Sequence, residues 1–278
     1  MAELGKINYM PVKKWVDFGV YLEAGEDEIL LPIRYVPEGT EPGDTLKVFL
    51  YRDSEDRIIA TTELPLVQAG ECAYLEVVQT TAVGAFLDWG LPKDLLVPFR
   101  EQDQRMVVGM YYPVYVYIDP ESQRLVGSSR LNRFISNDTL TVAEGDAVKL
   151  LVVQETDLGL KVVINHQHWG LLYHNEVFQD LGPGDAVRGY IKKIREENKI
   201  DVSLRREGFD EMPFAIDQLV RALRKEGGYL PLHDKSRPED IYDALGMSKK
   251  VFKKAVGMLY RERRLLLEKE GIRLMPEE

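Results

Sequence analysis

Apolar and polar residues alternate in short runs through the first three-quarters of the chain, and the period then lengthens. Val20 and Leu22 within DFGVYLEAGEDEILLP (Asp17 to Pro32), the residues around Phe86 within VGAFLDWGLPKDLLVP (Val83 to Pro98), and the runs Val187 to Ile194 and Ile200 to Leu204 follow a period of two. Such patterning predicts strands with one buried face. The turn-forming groups DSED, DPESQ and EEN split the closing run of each stretch and predict a β-hairpin there. The stretches are repeats: Gly19, Gly84 and Gly159 step by 65 and 75 residues, and Arg57, Arg124 and Lys199 step by 67 and 75. Both ends of the unit therefore keep register, and three all-β units of about 65 residues match the size of a five-stranded OB barrel.

From Glu211 the period is helical. EMPFAIDQLVRALRKEG sets Phe214, Ile216, Leu219 and Leu223 on one stripe before Gly227 and Gly228 stop the helix. A short strand, Tyr229 to Leu232, is expected next, followed by a second helix capped by Ser236 or Asp234. Pro238, Glu239 and Asp240 favour its first turn, and Leu245-Gly246 ends it. Ser248 caps a third helix whose stripe is Val251, Phe252, Ala255, Met258 and Leu259, and LLLEKEGIRLM closes as a hairpin around EKEG. Helix, strand, helix, tight turn, helix and hairpin is the order of a winged helix-turn-helix. The predicted fold class is mainly β followed by α+β: three tandem S1-like OB barrels over 1–63, 68–135 and 143–206, then a winged helix over 210–278.

Composition narrows the function. With 278 residues, 45% hydrophobic and 29% charged, the chain is of globular type and too long for one core. The start MAELGKINYM has neither a basic segment leading into an apolar one nor a cleavage site, and no apolar run reaches the ~18 residues of a membrane span. A cytoplasmic location without membrane association is expected. The single cysteine, Cys72, lies in ECAYLEVV and reads as a buried strand residue. The net charge of −10 argues against a polyanionic partner only until its distribution is considered: residues 1–143 carry a net −9, 144–209 a net −2, and 210–278 a net +1.

The strings GAFLDWG, LLV and GD-x-V…IKKI…KIDVSL resemble the S1 RNA-binding domain. That resemblance implies an OB face on which aromatics stack bases while Lys and Arg follow phosphates. Phe18, Tyr21 and Phe86 hold the matching aromatic positions, with Leu158 and Lys161 at those of the third repeat. Pro32, Pro98 and Tyr173 stand where S1 domains commonly place a histidine. The third repeat keeps Tyr173 and His174 and adds Lys192, Lys193, Arg195, Lys199, Arg205 and Arg206, so it is expected to contact RNA, while the first, most degenerate repeat serves as scaffold. In YYPVYVY, alternation buries Val114 and Val116 and sets Tyr115 and Tyr117 on the other face, where a structural or interdomain contact is expected.

In the third helix, Lys249 and Lys253, like Lys250 and Lys254, lie four apart and share a face, with Arg261, Arg263 and Arg264 beyond and Glu262 as the lone acid. Such a cluster is better explained with an anion nearby. The run GGYLPLHDKSRPEDIYDALGMSKKVFKKAVGMLYRERRL resembles the winged-helix end of the bacterial conserved virulence factor B family. The resemblance implies a cytoplasmic RNA-binding regulator whose last S1 domain and winged helix form the main RNA surface, without enzymatic activity.

No P-loop occurs, and Gly182-Pro183-Gly184-Asp185 reads as a turn. His166, His168 and His174 fall close together, but the first two lie in an expected inter-strand loop without matching ligands, and Glu26, Asp27 and Glu28 read as a solvated hairpin tip. Expected, then, are no catalytic residues, no metal and no cofactor, with single-stranded RNA as partner. The expected RNA contacts are Phe86, Tyr173, His174, Lys192, Lys193, Arg195, Lys199, Arg205, Lys249, Lys250, Lys253, Lys254 and Arg263. Two alternatives stand beside this: a scaffold whose acidic N-terminal barrels dock on a basic ribosomal or RNA-processing protein, favoured if the basic residues between 188 and 264 prove paired with acids, and a DNA-binding regulator using the third helix.

Overall fold

The computed structural model describes residues 2–53, 55–177, 179–205 and 211–275; Arg206 and the side chain of Phe214 lie outside the described residues. Strands β1 (Ile7–Val16), β2 (Gly19–Ala24), β3 (Asp27–Pro32), β4 (Thr45–Arg52) and β5 (Ile58–Thr61) close a barrel in the order β1-β2-β3-β5-β4. Its interior holds Val20 and Leu22, at the inward phase that alternation predicts, together with Leu31, Val48 and Ala60. The expected solvated acidic tip is in part structured: Asp27 and Glu28 belong to β3, and Glu28 is ion-paired with Lys13 and Lys14 on β1 at 2.9 and 2.6 Å.

The second unit has β6 (Cys72–Thr80), β7 (Gly84–Leu87), β8 (Leu95–Pro98), β9 (Tyr111–Ile118) and β10 (Leu125–Ser128) in the order β10-β9-β6-β7-β8. The strand order is that of the first barrel, but β8 and β10 meet without a hydrogen-bonded ladder. Leu95 and Val97 lean over Gly127, where a Cβ would lie 2.9 Å from Val97 Cγ2, so this seam is joined by packing. The third unit, β11 (Ala147–Thr156), β12 (Gly159–Ile164), β13 (His168–Tyr173), β14 (Ala186–Ile194) and β15 (Ile200–Ser203), is again a closed barrel; its parallel seam pairs Gly170, Leu171 and Leu172 with Ile200, Asp201 and Val202.

The repeated glycines have a common steric cause. Gly19, Gly84 and Gly159 open the second strand of each unit opposite Pro32, Pro98 and Tyr173. A Cβ on them would lie 2.1, 2.3 and 2.2 Å from the carbonyl oxygens of Leu31, Val97 and Leu172. Only a residue without a side chain lets the two strands approach there.

The barrels are joined by specific contacts. Between the first and second, Phe49 meets Trp89 edge to face with ring centroids 5.7 Å apart, Lys93 donates to the carbonyls of Arg52 and Asp53 at 3.0 Å each, and Arg124 bonds Asp56 through two nitrogens at 2.7 and 2.6 Å. Between the second and third, Cys72, Leu131, Ile135, Leu151 and Val163 bury one another. Tyr115 stacks on Phe134 at 4.4 Å and Tyr117 lies 4.9 Å from the same ring, while Val114 and Val116 are inside the second unit. Tyr115 thus packs on the core between the second and third barrels while Tyr117 meets Phe134 of its own unit, in keeping with the structural or interdomain contact expected of this face.

Burial pushes the Cys72 thiol up to about 12, so it stays protonated at neutral pH. Native protein is expected to leave a thiol-disulfide reagent unreacted, with one equivalent released on denaturation; reaction of the native chain at the rate of a free thiol would contradict this packing. In the same junction His166 Nδ1 accepts a bond from the Cys72 N–H at 3.0 Å, and burial lowers its pKa below the ordinary 6.5, opposed by Glu71 and reinforced by Lys149 and Lys6. A base whose folded pKa is depressed contributes stability above its unfolded pKa and loses it as pH falls. The melting temperature should drop on acidification below about 6.5 more steeply in the parent than in a His166→Gln variant, which keeps an acceptor but cannot titrate.

The C-terminal unit contains α1 (Glu211–Lys225), β16 (Tyr229–Leu230), α2 (Pro238–Leu245), α3 (Lys249–Arg261), β17 (Leu265–Glu268) and β18 (Gly271–Leu274), with sheet order β16-β18-β17. Leu219, Leu223, Ile241, Phe252, Ala255 and Leu259 form its core. Ser248 caps α3 by accepting from the Val251 N–H. The cap of α2 differs from expectation: Arg237 holds the position without a side-chain bond, because the Ser236 hydroxyl instead accepts from the His233 N–H at 3.0 Å in the preceding turn. The short strand stops at Leu230, two residues before Leu232.

Candidate nucleic-acid interface

Along β13 the residues His168, Gly170 and Leu172 are buried and Trp169, Leu171 and Tyr173 face outward, half-buried. Tyr173 stands at the mouth of a cleft of 480 Å³ with Asn175, Glu176, Lys192, Lys193 and Arg195 around it. A second cleft of 160 Å³ lies between this barrel and the winged helix, lined among others by Asn175, Glu176, Arg205, Gln218, Ser248 and Val251. Asn175 and Glu176 line both, so the two clefts adjoin, one reaching Tyr173 and the other Ser248 and Val251 at the start of α3. The Tyr242 hydroxyl of α2 donates to the carbonyls of Val177 at 3.2 Å and His174 at 3.5 Å and ties the winged helix to the barrel beside these clefts.

The cations differ in how they are held. Arg195 bonds the buried Asp201 at 2.6 Å, which fixes its guanidinium 5.6 Å from the Tyr173 ring centre. Lys192 is paired with Glu176, which also accepts from the Ser203 hydroxyl at 3.1 Å, and Lys199 with Glu197 at 2.6 Å. Three of the expected hairpin cations are thus engaged by acids of the same barrel, whereas Lys193 is exposed without an ion pair among the described residues. The Lys199 pair is exposed on both sides and screened by solvent; the Arg195–Asp201 pair orients its cation.

On α3 the four lysines are not equivalent. Lys249 donates to the Ser236 carbonyl at 2.8 Å, while Lys250, Lys253 and Lys254 are exposed and have no ion pair among the described residues. Arg261 turns back to the Gly257 carbonyl at 3.1 Å and Arg264 pairs with Glu262 at 3.3 Å; Arg263 follows the helix, exposed, with φ 57°.

Two expected contacts sit elsewhere. The His174 ring turns to the Thr156 carbonyl at 3.0 Å, so it makes no aromatic pair toward the cleft. Phe86 lines a separate 330 Å³ cleft between the first and second units, beside Tyr51, Trp89 and Arg124. The histidines are dispersed: His168 is the first residue of β13, not a loop residue, and is buried with Nδ1 2.8 Å from the Ser136 carbonyl and Nε2 2.8 Å from Thr141 Oγ1. Among the described residues no group of three or more His, Cys, Asp or Glu converges as a metal site.

Motif comparison misses Asn175, Glu176 and Trp169. Trp169 is in phase with Tyr173 in HWGLLY, so alternation places both on one face; nothing local marks Asn175 and Glu176, whose importance comes from lying between two domains.

Tandem S1-type barrels with a winged helix define a protein made of nucleic-acid-binding domains, and a nucleic-acid-binding role follows. The S1 domain family matches residues 4–63, which is the repeat most degenerate by motif, and the CvfB-like winged helix domain matches residues 217–274. The chain is 28% identical over 269 residues to the uncharacterized protein YitL of Bacillus subtilis, covering 91% of this chain and 87% of that one. It is 25% identical over 244 residues to conserved virulence factor B of Staphylococcus epidermidis, with 84% and 81% covered. A solved multidomain protein with nucleic acid binding domains from Streptococcus pneumoniae aligns over 98% of both chains at 20% identity and a TM-score of 0.42. The C-terminal domain is thus a CvfB-like winged helix, and the chain is similar to proteins of that family along most of its length. Among the described residues no helix is long and apolar enough to cross a membrane.

Proposed function

We propose that this protein is a cytoplasmic, non-catalytic RNA-binding regulator acting after transcription, and that it holds single-stranded RNA in the groove shared by the third barrel and the winged helix. The observation that carries this is that the two clefts share Asn175 and Glu176, which sets the aromatic Tyr173 near the start of the lysine-rich helix. Tyr173 would stack a base, Arg195 and Lys193 would meet its phosphates, and Lys250, Lys253 and Lys254 would take those further along. RNA is favoured over DNA because an exposed barrel face with flanking cations suits unpaired, splayed bases, and the 2′-hydroxyl offers further contacts.

The test is fluorescence anisotropy of a labelled oligouridylate and the matched deoxy-oligomer with the full chain at several salt concentrations. RNA should bind more tightly than DNA, and the affinity should fall steeply with salt. Tyr173→Ala should weaken RNA binding roughly 5- to 150-fold, from a stacking contribution of ~1–3 kcal/mol. Absence of RNA binding at low salt would refute the proposal. It would favour a protein scaffold, a reading supported by the pairing of Lys192, Arg195 and Lys199 with acids and by the acidic front barrels. Preference for duplex DNA would favour a DNA-binding role for α3.

A further inference from the structure

The outer face of β13 carries a second aromatic–cation pair at its other end. Trp169 lies four residues before Tyr173, on the same side of the strand and about 13 Å away at ~3.3 Å per residue. One side of its indole packs on the core joining the second and third barrels. Over the ring sits the Lys161 ammonium, 4.0 Å from the centroid. Lys161 has no ion pair among the described residues, and burial lowers its pKa. A half-buried cation whose visible partner is an aromatic face is available to an anion.

Beside this pair opens a 310 Å³ cleft whose far wall comes from the second barrel, where Arg130 and Arg133 stand against the single exposed acid Asp103. Arg130 is steadied by the Gln102 carbonyl at 3.2 Å, and Arg133 by Glu101 at 2.6 Å.

The backbone that carries the indole is also anchored on both sides. Asn137, in the segment linking the two barrels, accepts from the Trp169 N–H at 2.7 Å and donates to the Trp169 carbonyl at 2.9 Å and the Asn198 carbonyl at 2.8 Å. It thereby takes the place of a neighbouring strand at a residue just before the β13–β15 ladder begins at Gly170. Two-sided restraint of one tryptophan backbone by a linker side chain preorganises the platform, so little ordering is left for binding.

We propose that Trp169 and Lys161 form a second nucleotide-binding position, and that β13 is a track along which one RNA strand passes from the winged helix, over Tyr173 and then Trp169, to the arginines of the second barrel. A base displaces the Lys161 ammonium from the indole face and stacks there, and the released ammonium pairs with the adjacent phosphate. This deepens the RNA-binding reading and rests on it for the identity of the strand. The same chemistry would admit a free nucleotide, so the test includes one.

The experiment follows tryptophan emission of the full chain on titration with oligouridylate and, separately, with uridine monophosphate, in the parent, Trp169→Phe and Lys161→Gln, with anisotropy of labelled RNA measured in parallel. Saturable quenching by the oligomer is expected in the parent and is lost in Trp169→Phe, with Trp15 and Trp89 left as unresponsive reporters. Lys161→Gln leaves the junction core untouched; it should weaken RNA binding about fivefold or more and make the salt slope shallower by about 0.7. Quenching by the monophosphate at concentrations similar to the oligomer would identify a free nucleotide as occupant of the same position. If RNA binds by anisotropy but emission does not change, or Trp169→Phe is quenched as strongly as the parent, the second position is wrong while the groove stands. If RNA fails to bind yet the monophosphate quenches Trp169, the groove reading falls and the nucleotide position remains. No response to either ligand overturns both.

Discussion

Gly159→Ala should be among the most damaging single-methyl additions in the chain, costing about 3 kcal/mol or more and lowering the melting temperature of the third barrel by roughly 10–25 °C. The added Cβ would sit 2.2 Å from the Leu172 carbonyl oxygen and 2.7 Å from Tyr173 Cα, and both obstacles are backbone. Relief requires β12 and β13 to separate where their ladder ends at Gly159 and Tyr173, which also displaces the groove. Gly84→Ala and Gly19→Ala meet the same obstacle at 2.3 and 2.1 Å in their own units. Gly182→Ala is the control, since nothing lies within 4 Å of its added carbon, and its effect should be within about 0.5 kcal/mol. Calorimetry of the full chain, with hydrogen exchange to assign the loss to β12 and β13, measures it. A Gly159→Ala protein as stable as Gly182→Ala would show that these strands can part without cost and would remove the steric account of the repeat.

The second large effect concerns α3. Changing Lys250, Lys253 and Lys254 to alanine should flatten the dependence of log affinity on log salt by about 2, from ~0.7 per phosphate contact on a single strand, and charge reversal to glutamate should abolish RNA binding at physiological salt. Lys249→Ala should matter less for binding, because its ammonium already serves the Ser236 carbonyl in the turn before α2. Stability should change little in the triple variant, as all three ammonium groups are exposed and carry no ion pair among the described residues. Equal RNA affinity and an unchanged salt slope in the triple variant would take α3 out of the interface and leave the third barrel to bind alone.

The same lysines illustrate what a sequence conceals. Lys249, Lys250, Lys253 and Lys254 look alike in KKVFKK, and the periodicity that places them cannot tell that one is spent on a backbone carbonyl 13 residues earlier. In the IKKI hairpin, Lys192 and Lys193 are neighbours and both line the Tyr173 cleft, because the strand register shifts between Ile191 and Lys193, yet Lys192 meets Glu176 while Lys193 is exposed without an ion pair among the described residues. The acid that engages Lys192 lies in the turn after β13, 16 residues away, and no local pattern links the two.

Trp169 shows the opposite balance. Its phase with Tyr173 is written in HWGLLY, but its availability depends on Asn137, 32 residues before it, and on a second barrel supplying the far wall. The histidines were separable only in three dimensions: His168 turns inward to the linker at Ser136 and Thr141, and His166 reaches Cys72 across 94 residues.

Strand alternation, the spacing of Gly19, Gly84 and Gly159, and the helical stripes after Glu211 determined by themselves that this chain builds five-stranded units followed by a winged helix. They could do so because burial of one face and close approach of two backbones are imposed by neighbours a few residues apart or by a repeat visible in the string. Which cations are free, which cleft Phe86 faces, and that Asn175 and Glu176 line two adjoining clefts were decided by tertiary structure. Each of those depends on where a distant segment stops, and charge pairing and shared clefts are set by distances of a few ångströms between groups that the sequence leaves far apart.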